Sequence, residues 1–401
     1  MNTTTAPTAP TALQPAQDHL DLPFFDDHHR RLATELQAWV ATQQVDERDD
    51  RAACREWVRR LGDAGWLRWC VPAEHGGQLP RLDSRALVIL RETLAFHSPL
   101  ADFAFAMQGL GSGAITLAGT PQQQRSYLPA VARGQKIAAF ALSEPEAGSD
   151  VAAMGTSATP HADAWELNGS KTWISNGGMA DFYVTFARTR ADGGARGISA
   201  FIVDADRPGL DASEHLQVMA PHPLATLRFE RCRLPGDALL GEVDGGFKLA
   251  MQTLDIFRPS VAAAALGMAR RAMAEAVAHA KTRRMFGQTL ADFQLTQVRL
   301  GEMSALIDAA ALLTCRAAWQ RDCSPTRGAG TPAYTAAAAS AKLTATENAQ
   351  KVIDMALQMF GGRGVQVGNP LEHLYRDIRS LRIYEGASEV QLLILGKAAL
   401  R

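Results

Sequence analysis

Most of the quick signatures of function are missing from this 401-residue chain. Five cysteines, Cys54, Cys70, Cys232, Cys315 and Cys323, are widely spread and form no C-x-x-C pair. That excludes a disulfide framework and a structural zinc knuckle, and fits a reducing, cytoplasmic setting. Neither charge sign is in excess: 41 Lys+Arg meet 42 Asp+Glu, so the basic surplus that nucleic acid or an anionic membrane would require is lacking. No uninterrupted apolar run reaches the length of about 18 residues that a membrane-spanning helix needs. The first residues, to about Gln17, are rich in Thr, Ala and Pro and hold no Lys or Arg, so they read as a disordered tail and not as a signal or transit peptide. P-loop, H-E-x-x-H and G-x-S-x-G patterns are absent. The ten histidines show no ligand spacing, so no metal is expected, and His28, His29 and His222 read as surface or packing residues. The nearest approach to a dinucleotide fingerprint, Gly109-Leu110-Gly111-Ser112-Gly113-Ala114, lacks the third glycine and lies in helix-like sequence.

What is present is 47% hydrophobic residues over a length that supports two or three packed domains. The pattern divides the chain into a disordered tail (1–18), an N-terminal helical domain (19–135), a middle β domain (136–244) and a C-terminal helical bundle (245–401), an α+β protein that is mainly α. Asp83 is placed to cap a helix over Ser84–Phe96, and Thr120-Pro121 has the cap-then-proline form of a helix start. In the middle section Asn168-Gly169 is a type I′ hairpin signal between Trp165–Leu167 and Ser170–Ile174, while Phe182–Ala187 and Ile198–Val203 read as strands. Farther on, Ala345, Ala349, Val352, Ala356 and Met359 step by four and three along a narrow helical seam. Pro259 is expected to kink, or to mark the start of, a helix around Leu254–Ala280.

Five polar clusters remain. Ala141–Asp150 follows a strand and reads first as a surface turn, and second as a loop whose small residues let backbone N–H groups face a phosphate or a flavin edge. Lys171–Gly178 carries Trp173 and Ser175 on one strand face, either an ordinary half-buried strand or a wall for an aromatic ring system. Arg283–Leu290 reads as an exposed interhelical turn. Gln358–Gly364 and Ile383–Glu389 complete the set.

In this order the five clusters resemble the acyl-CoA dehydrogenase flavoprotein family. Ala141–Asp150 is similar to its [A]-x-[ST]-E-x-x-x-G-[ST]-D loop, Arg283, Phe286 and Gly287 to its R-x-x-F-G turn, Gln358, Gly361, Gly362 and Gly364 to Q-x-x-G-G-x-G, and Tyr384-Glu385-Gly386 to its late Y-E-G. The resemblance covers about Phe24 to Ala399. It implies an N-terminal helical domain, a middle β-barrel-like domain and a C-terminal four-helix bundle, assembled as a homotetramer (a dimer of dimers), with FAD held between the β domain and the bundle without a Rossmann glycine motif.

The resemblance also implies roles. Phe140, Leu142, Ser143, Gly148, Ser149, Trp173 and Ser175 are expected to line or hydrogen-bond the flavin. Arg283, Phe286, Gln294, Gln358, Gly361 and Gly362 are expected to hold the rest of FAD from a neighbouring subunit, with Ala387 and Glu389 also beside the cofactor. Ser149, Asp255, Arg258, Gly386 and Lys397 fall on the substrate side. Glu385 takes the position of the base that removes the α-proton of an acyl-CoA thioester as hydride leaves the β-carbon for flavin N5, giving a trans-2-enoyl-CoA, with the electrons passed on to an electron-transfer flavoprotein. Phe257 stands where some members carry the base instead and cannot serve. Glu385 also reads as a carboxylate favoured at the start of the last helix. Three features depart from the family: Ala387 replaces a frequent threonine, Gly368 and His373 stand at positions usually acidic and basic, and Gln217–Arg228 replaces the usual Gly/Ser/Thr-rich strand. An acyl-carrier-protein thioester dehydrogenase, or a flavin oxidase or monooxygenase on the same fold, is the alternative.

Overall fold

The structure, a computed structural model, describes residues 13–324 and 326–401. Residues 1–12 of the expected tail lie outside the described residues, and Asp18–Asp21 form a single 3-10 turn. Five helices follow: α1 (Asp27–Val40), α2 (Asp50–Asp63), α3 (Ser84–His97), α4 (Pro99–Ala118) and α5 (Pro121–Ala132). Their starts are where the capping chemistry puts them. The Asp83 carboxylate accepts from the Ala86 N–H at 2.9 Å, and Thr120 and Gln123 form a reciprocal capping box with Pro121 at the first helical position. Helix α3 is buried on nearly every face because it lies between its own domain and the C-terminal helices. The glycines at 109, 111 and 113 belong to α4: a Cβ at Gly111 would stand 2.7 Å from the Ala139 backbone nitrogen, and one at Gly109 2.8 Å from the Phe257 ring. They are a seam for close packing and not a phosphate loop.

The middle section is an eight-stranded mixed sheet of β1 (Ala138–Ala141), β2 (Ser157–His161), β3 (Ala164–Ser175), β4 (Phe182–Arg188), β5 (Ile198–Asp204), β6 (Leu210–Leu216), β7 (Leu224–Pro235) and β8 (Leu239–Leu240). Its order is β6-β7-β3-β2-β4-β5-β8, with β1 added in parallel to β4, and the sheet does not close into a barrel. The expected Asn168-Gly169 hairpin is a correction: β3 runs straight through it. These residues form a bulge against β7, where Asn168 accepts from the Arg231 N–H at 2.7 Å and Gly169 takes φ +142°. The same backbone freedom that suits a turn serves the bulge, and the true hairpin turn is Ala162-Asp163 between β2 and β3.

The C-terminal part holds three long helices, α6 (Gly246–Thr282), α7 (Gln294–Cys323) and α8 (Pro332–Phe360), then α9 (Pro370–Leu381) and α10 (Ser388–Ala399); a two-stranded hairpin, β9 (Arg284–Met285) and β10 (Gln288–Thr289), joins α6 to α7. Ala345, Ala349, Val352 and Ala356 are buried against alanine-rich α6, as the seam requires. Of the two readings of Pro259, the helix start is corrected. It lies thirteen residues inside α6, which begins at Gly246. Proline deprives the Asp255 carbonyl of its helical donor, and the Tyr334 hydroxyl of α8 donates to that carbonyl at 2.8 Å instead. No described helix is long and apolar enough to cross a membrane.

Candidate active site

A cleft open to solvent at its mouth lies where α4, the β1–β2 loop, the end of β3, α6 and the α9–α10 turn meet. On its β side the loop after β1 is shaped by a buried ion pair. The Glu144 carboxylate accepts from Lys171 Nζ at 2.7 Å and from the N–H groups of Gly155 and Thr156 at 2.6 and 3.1 Å. Lys171, fully buried, also donates to the Leu142 carbonyl at 3.0 Å, and the Thr172 N–H donates to the Ser143 carbonyl at 3.0 Å. Burial works to raise the Glu144 carboxyl, but the Lys171 ammonium and the N–H donors hold it below the usual range. Burial pulls the Lys171 ammonium down to about 8 against that same attraction. The loop so fixed presents Ser143, Gly148 and Ser149 to the cleft beside Phe140 and Leu142. Trp173, at φ +59° in a second β3–β7 irregularity, is 58% exposed and turns into the cleft with Ser175.

Across the cleft the α9–α10 turn carries Tyr384, Glu385 and Gly386, with φ +53° at Glu385 and +93° at Gly386. A non-glycine residue in this conformation is strained by the order of 1 kcal/mol and persists because its surroundings hold it. Arg258 Nε donates to the Glu385 carbonyl at 3.4 Å, and Gln391 Nε2 and Lys342 Nζ donate to the Gly386 carbonyl at 2.9 and 2.8 Å. The carboxylate itself does not cap α10: the N-cap position is Ala387, and Glu385 Oε2 is shielded from water with no hydrogen-bond partner among the described residues. Desolvation raises its carboxyl above the ordinary range, opposed by the charges of Arg91, Arg258 and Lys342. Behind it Arg91 and Asp102 form a buried bidentate pair, both bonds 2.8 Å, and Arg91 also donates to Ser260 Oγ at 3.0 Å. Phe257 is packed away against the α4 glycines.

The residues singled out in the sequence thus fall into two groups. Phe140, Leu142, Ser143, Gly148, Ser149, Trp173, Ser175, Arg258, Glu385 and Gly386 line one cleft. Arg283, Phe286 (88% exposed), Gln294, Gln358, Gly361 and Gly362 are solvent-facing and lie outside it, as do Ala387, Glu389 and Lys397. Asp255 is engaged by Arg258 and by Thr335 Oγ1 at 2.8 Å. Ser388, beside the departure at Ala387, gives its hydroxyl to Glu347 at 2.5 Å.

Sequence reasoning missed several lining residues. His222, read as a surface or packing residue, faces the cleft: its ring lies 4.0 Å from that of Phe103, Nε2 stands 3.3 Å from Ser175 Oγ, and burial lowers it to about 4, so it is neutral at pH 7. Lys342 and the Lys171–Glu144 and Arg91–Asp102 pairs were also unforeseen. Their partners lie 11 to 44 residues away on other elements, and no helix or strand spacing announces them.

The chain matches, in order, the family profiles described as acyl-CoA dehydrogenase, N-terminal domain (residues 26–135), middle domain (139–232) and C-terminal domain (244–400). It is 36% identical to the probable acyl-CoA dehydrogenase FadE25 of Mycobacterium tuberculosis over 390 residues, covering 96% of this chain and 98% of that protein. It is 38% identical to the human short-chain specific acyl-CoA dehydrogenase, mitochondrial, over 347 residues, covering 86% and 82%. The fold superposes on butyryl-CoA dehydrogenase from Megasphaera elsdenii with a TM-score of 0.87 at 32% identity, covering 94% and 99%.

Proposed function

Because the chain belongs to the acyl-CoA dehydrogenase family of flavoprotein oxidoreductases, we propose that it is an FAD-dependent enzyme that converts a saturated acyl-CoA to the trans-2-enoyl-CoA. The observation that carries this reading is Glu385: a water-shielded carboxylate oxygen without a partner, at a cleft whose opposite wall presents Trp173 and three serines. A planar cofactor fits that wall, since Trp173 stands largely bare and a side chain at Gly148 would meet nothing within 4 Å. Bound FAD supplies the two-electron acceptor for the hydride that leaves the β-carbon. The chain supplies the rest. Phe140, Leu142 and Trp173 exclude water from the ring, and Ser143, Ser149 and Ser175 give it hydrogen bonds. Glu385, its proton affinity raised by burial, takes the α-proton, and its backbone N–H polarises the thioester carbonyl. Arg258 and Gly386 shape the substrate side of the pocket, with Asp255 behind Arg258 and Lys397 towards the CoA end.

Arg283, Phe286, Gln294, Gln358, Gly361 and Gly362 would then reach the adenosine diphosphate half of FAD from a neighbouring subunit, with Ala387 and Glu389 near the cofactor in their own chain. An assembly of this kind, a homotetramer in our reading, is supported by bare apolar side chains on the outer helices: Leu295 and Val298 on α7, and Leu392 and Leu393 on α10. The two electrons go on to an electron-transfer flavoprotein. The test is to purify the protein yellow and add a panel of straight, branched and aromatic acyl-CoAs without oxygen. Bleaching by at least one is expected; a flavin-loaded protein that no acyl-CoA bleaches contradicts the CoA assignment.

A further inference from the structure

Lys342 is the second fully buried lysine of the cleft, and nothing in the proposed chemistry has yet used it. Its Nζ makes one hydrogen bond, to the Gly386 carbonyl, and has no carboxylate within 4 Å among the described residues. An ammonium so placed loses its hydration without gaining a paired anion, a cost of several kcal/mol in general, unless a negative charge lies close by. The nearest anionic group in the electrostatic sense is Glu385, one residue from the carbonyl that Lys342 holds: each acts on the other in the direction that favours both charges. The turn is the other half of the observation. Two successive positive φ values are held by Arg258 Nε, Gln391 Nε2 and Lys342 Nζ, all donating to the carbonyls of residues 385 and 386.

We propose that Lys342 is the positioning residue of Glu385: it pins the strained turn through the Gly386 carbonyl and places a buried positive charge that keeps the Glu385 carboxyl ready to accept a proton. This rests on the reading of Glu385 as the base. Other titratable groups surround the turn. Arg91 on α3, Asp102 on α4 and Arg258 on α6 act on Glu385 itself, Glu347 on α8 and Glu389 on α10 act on Lys342, Asp377 on α9 acts on Tyr384, Asp255 on α6 pairs with Arg258, and His222, from the loop before β7, lines the same cleft. Arg91 is neutralised by Asp102 at 2.8 Å, and Arg258 by Asp255. His222 is held neutral by burial. Among the described residues Lys342 is the cation acting on Glu385 that has no carboxylate at ion-pair distance, so its charge is the least offset of the three. Burial, helped by the Arg258 charge, pulls it down to about 8 against the attraction of Glu385, so it is positive through the neutral range and discharges above it.

The experiment compares Lys342→Gln with wild type in the acid limb of the kcat/KM profile on whichever acyl-CoA the wild type accepts. Removing the positive charge is expected to move the midpoint up by about one pH unit and to lower activity about tenfold on the acid side, with recovery as the pH rises. An unmoved midpoint in a folded variant overturns the proposal. A thermal-melt cycle of wild type, Lys342→Gln, Glu385→Gln and the double variant gives a readout free of turnover, and serves if the single lysine variant is too unstable to assay. If the two charges support each other, the double variant melts higher than the sum of the single losses predicts. A role confined to the carbonyl hydrogen bond gives strict additivity and overturns the proposal. If wild type bleaches with no acyl-CoA, the proposed function falls while the melt cycle still decides on Lys342.

Discussion

The two walls of the cleft each contain a lysine that is fully buried and drawn down to about 8, yet the two are used in opposite ways. On the β side, Lys171 meets Glu144 at 2.7 Å, and the carboxylate takes two backbone N–H groups besides; every participant is satisfied. On the helical side, Lys342 donates to one carbonyl and Glu385 keeps an oxygen with no partner among the described residues. A saturated buried network has nothing left to offer a ligand, so it fixes shape. A network left open keeps a charge and a strained turn in reserve, and a substrate can complete it. The first wall is scaffold, and to the second we assign the chemistry.

Breaking the scaffold should therefore be the larger blow to stability. Lys171→Met strands the Glu144 charge and should destabilise the fold by about 3–5 kcal/mol; calorimetry that finds a loss below about 1 kcal/mol would put the scaffold role in doubt. Next come the opposite pH signs of the two carboxylates. Glu144 is held below the usual carboxylate range, so its contribution to stability is present above that range and lost as the pH falls through its folded value. Glu385 is pushed above the range, so its contribution is present at low pH and lost as the pH rises through its folded value. Glu144→Gln should fall increasingly behind wild type as the pH rises from about 2 to about 5, and Glu385→Gln should gain on it as the pH rises from about 4 to about 7, each by about 1 kcal/mol or more. Denaturant melts across those ranges check both, and equal signs would erase the distinction between the walls. A loss of similar size, about 1–2 kcal/mol, is expected at Tyr334→Phe, which returns the Asp255 carbonyl beside Pro259 to its orphaned state.

Much of the layout can be read in the sequence where local chemistry decides it. Asp83 and Thr120-Pro121 start helices because a cap needs only its own next three residues, and β4 and β5 stand out as runs of buried apolar and aromatic residues. Asn168-Gly169 misled because positive φ serves a bulge as well as a turn, and only the pairing with β7 distinguishes them. The start of α6 was obscured by Pro259, whose freed carbonyl is satisfied by a side chain 79 residues along the chain. Within the site, the residues of the signature loop and the Y-E-G turn were visible as motifs. The groups that set their shape and charge were not: Lys171 lies 27 residues from Glu144, Lys342 lies 44 from Gly386, and His222 reaches Ser175 from 47 away.

The most direct test of the account puts wild type and Glu385→Gln side by side in an anaerobic stopped-flow, each loaded with flavin and mixed with the same acyl-CoA. The account predicts that the variant binds both and bleaches slower by at least the factor of about 10²–10⁴ that a positioned base contributes. Bleaching at the wild-type rate in Glu385→Gln would contradict it and move the base elsewhere in the cleft.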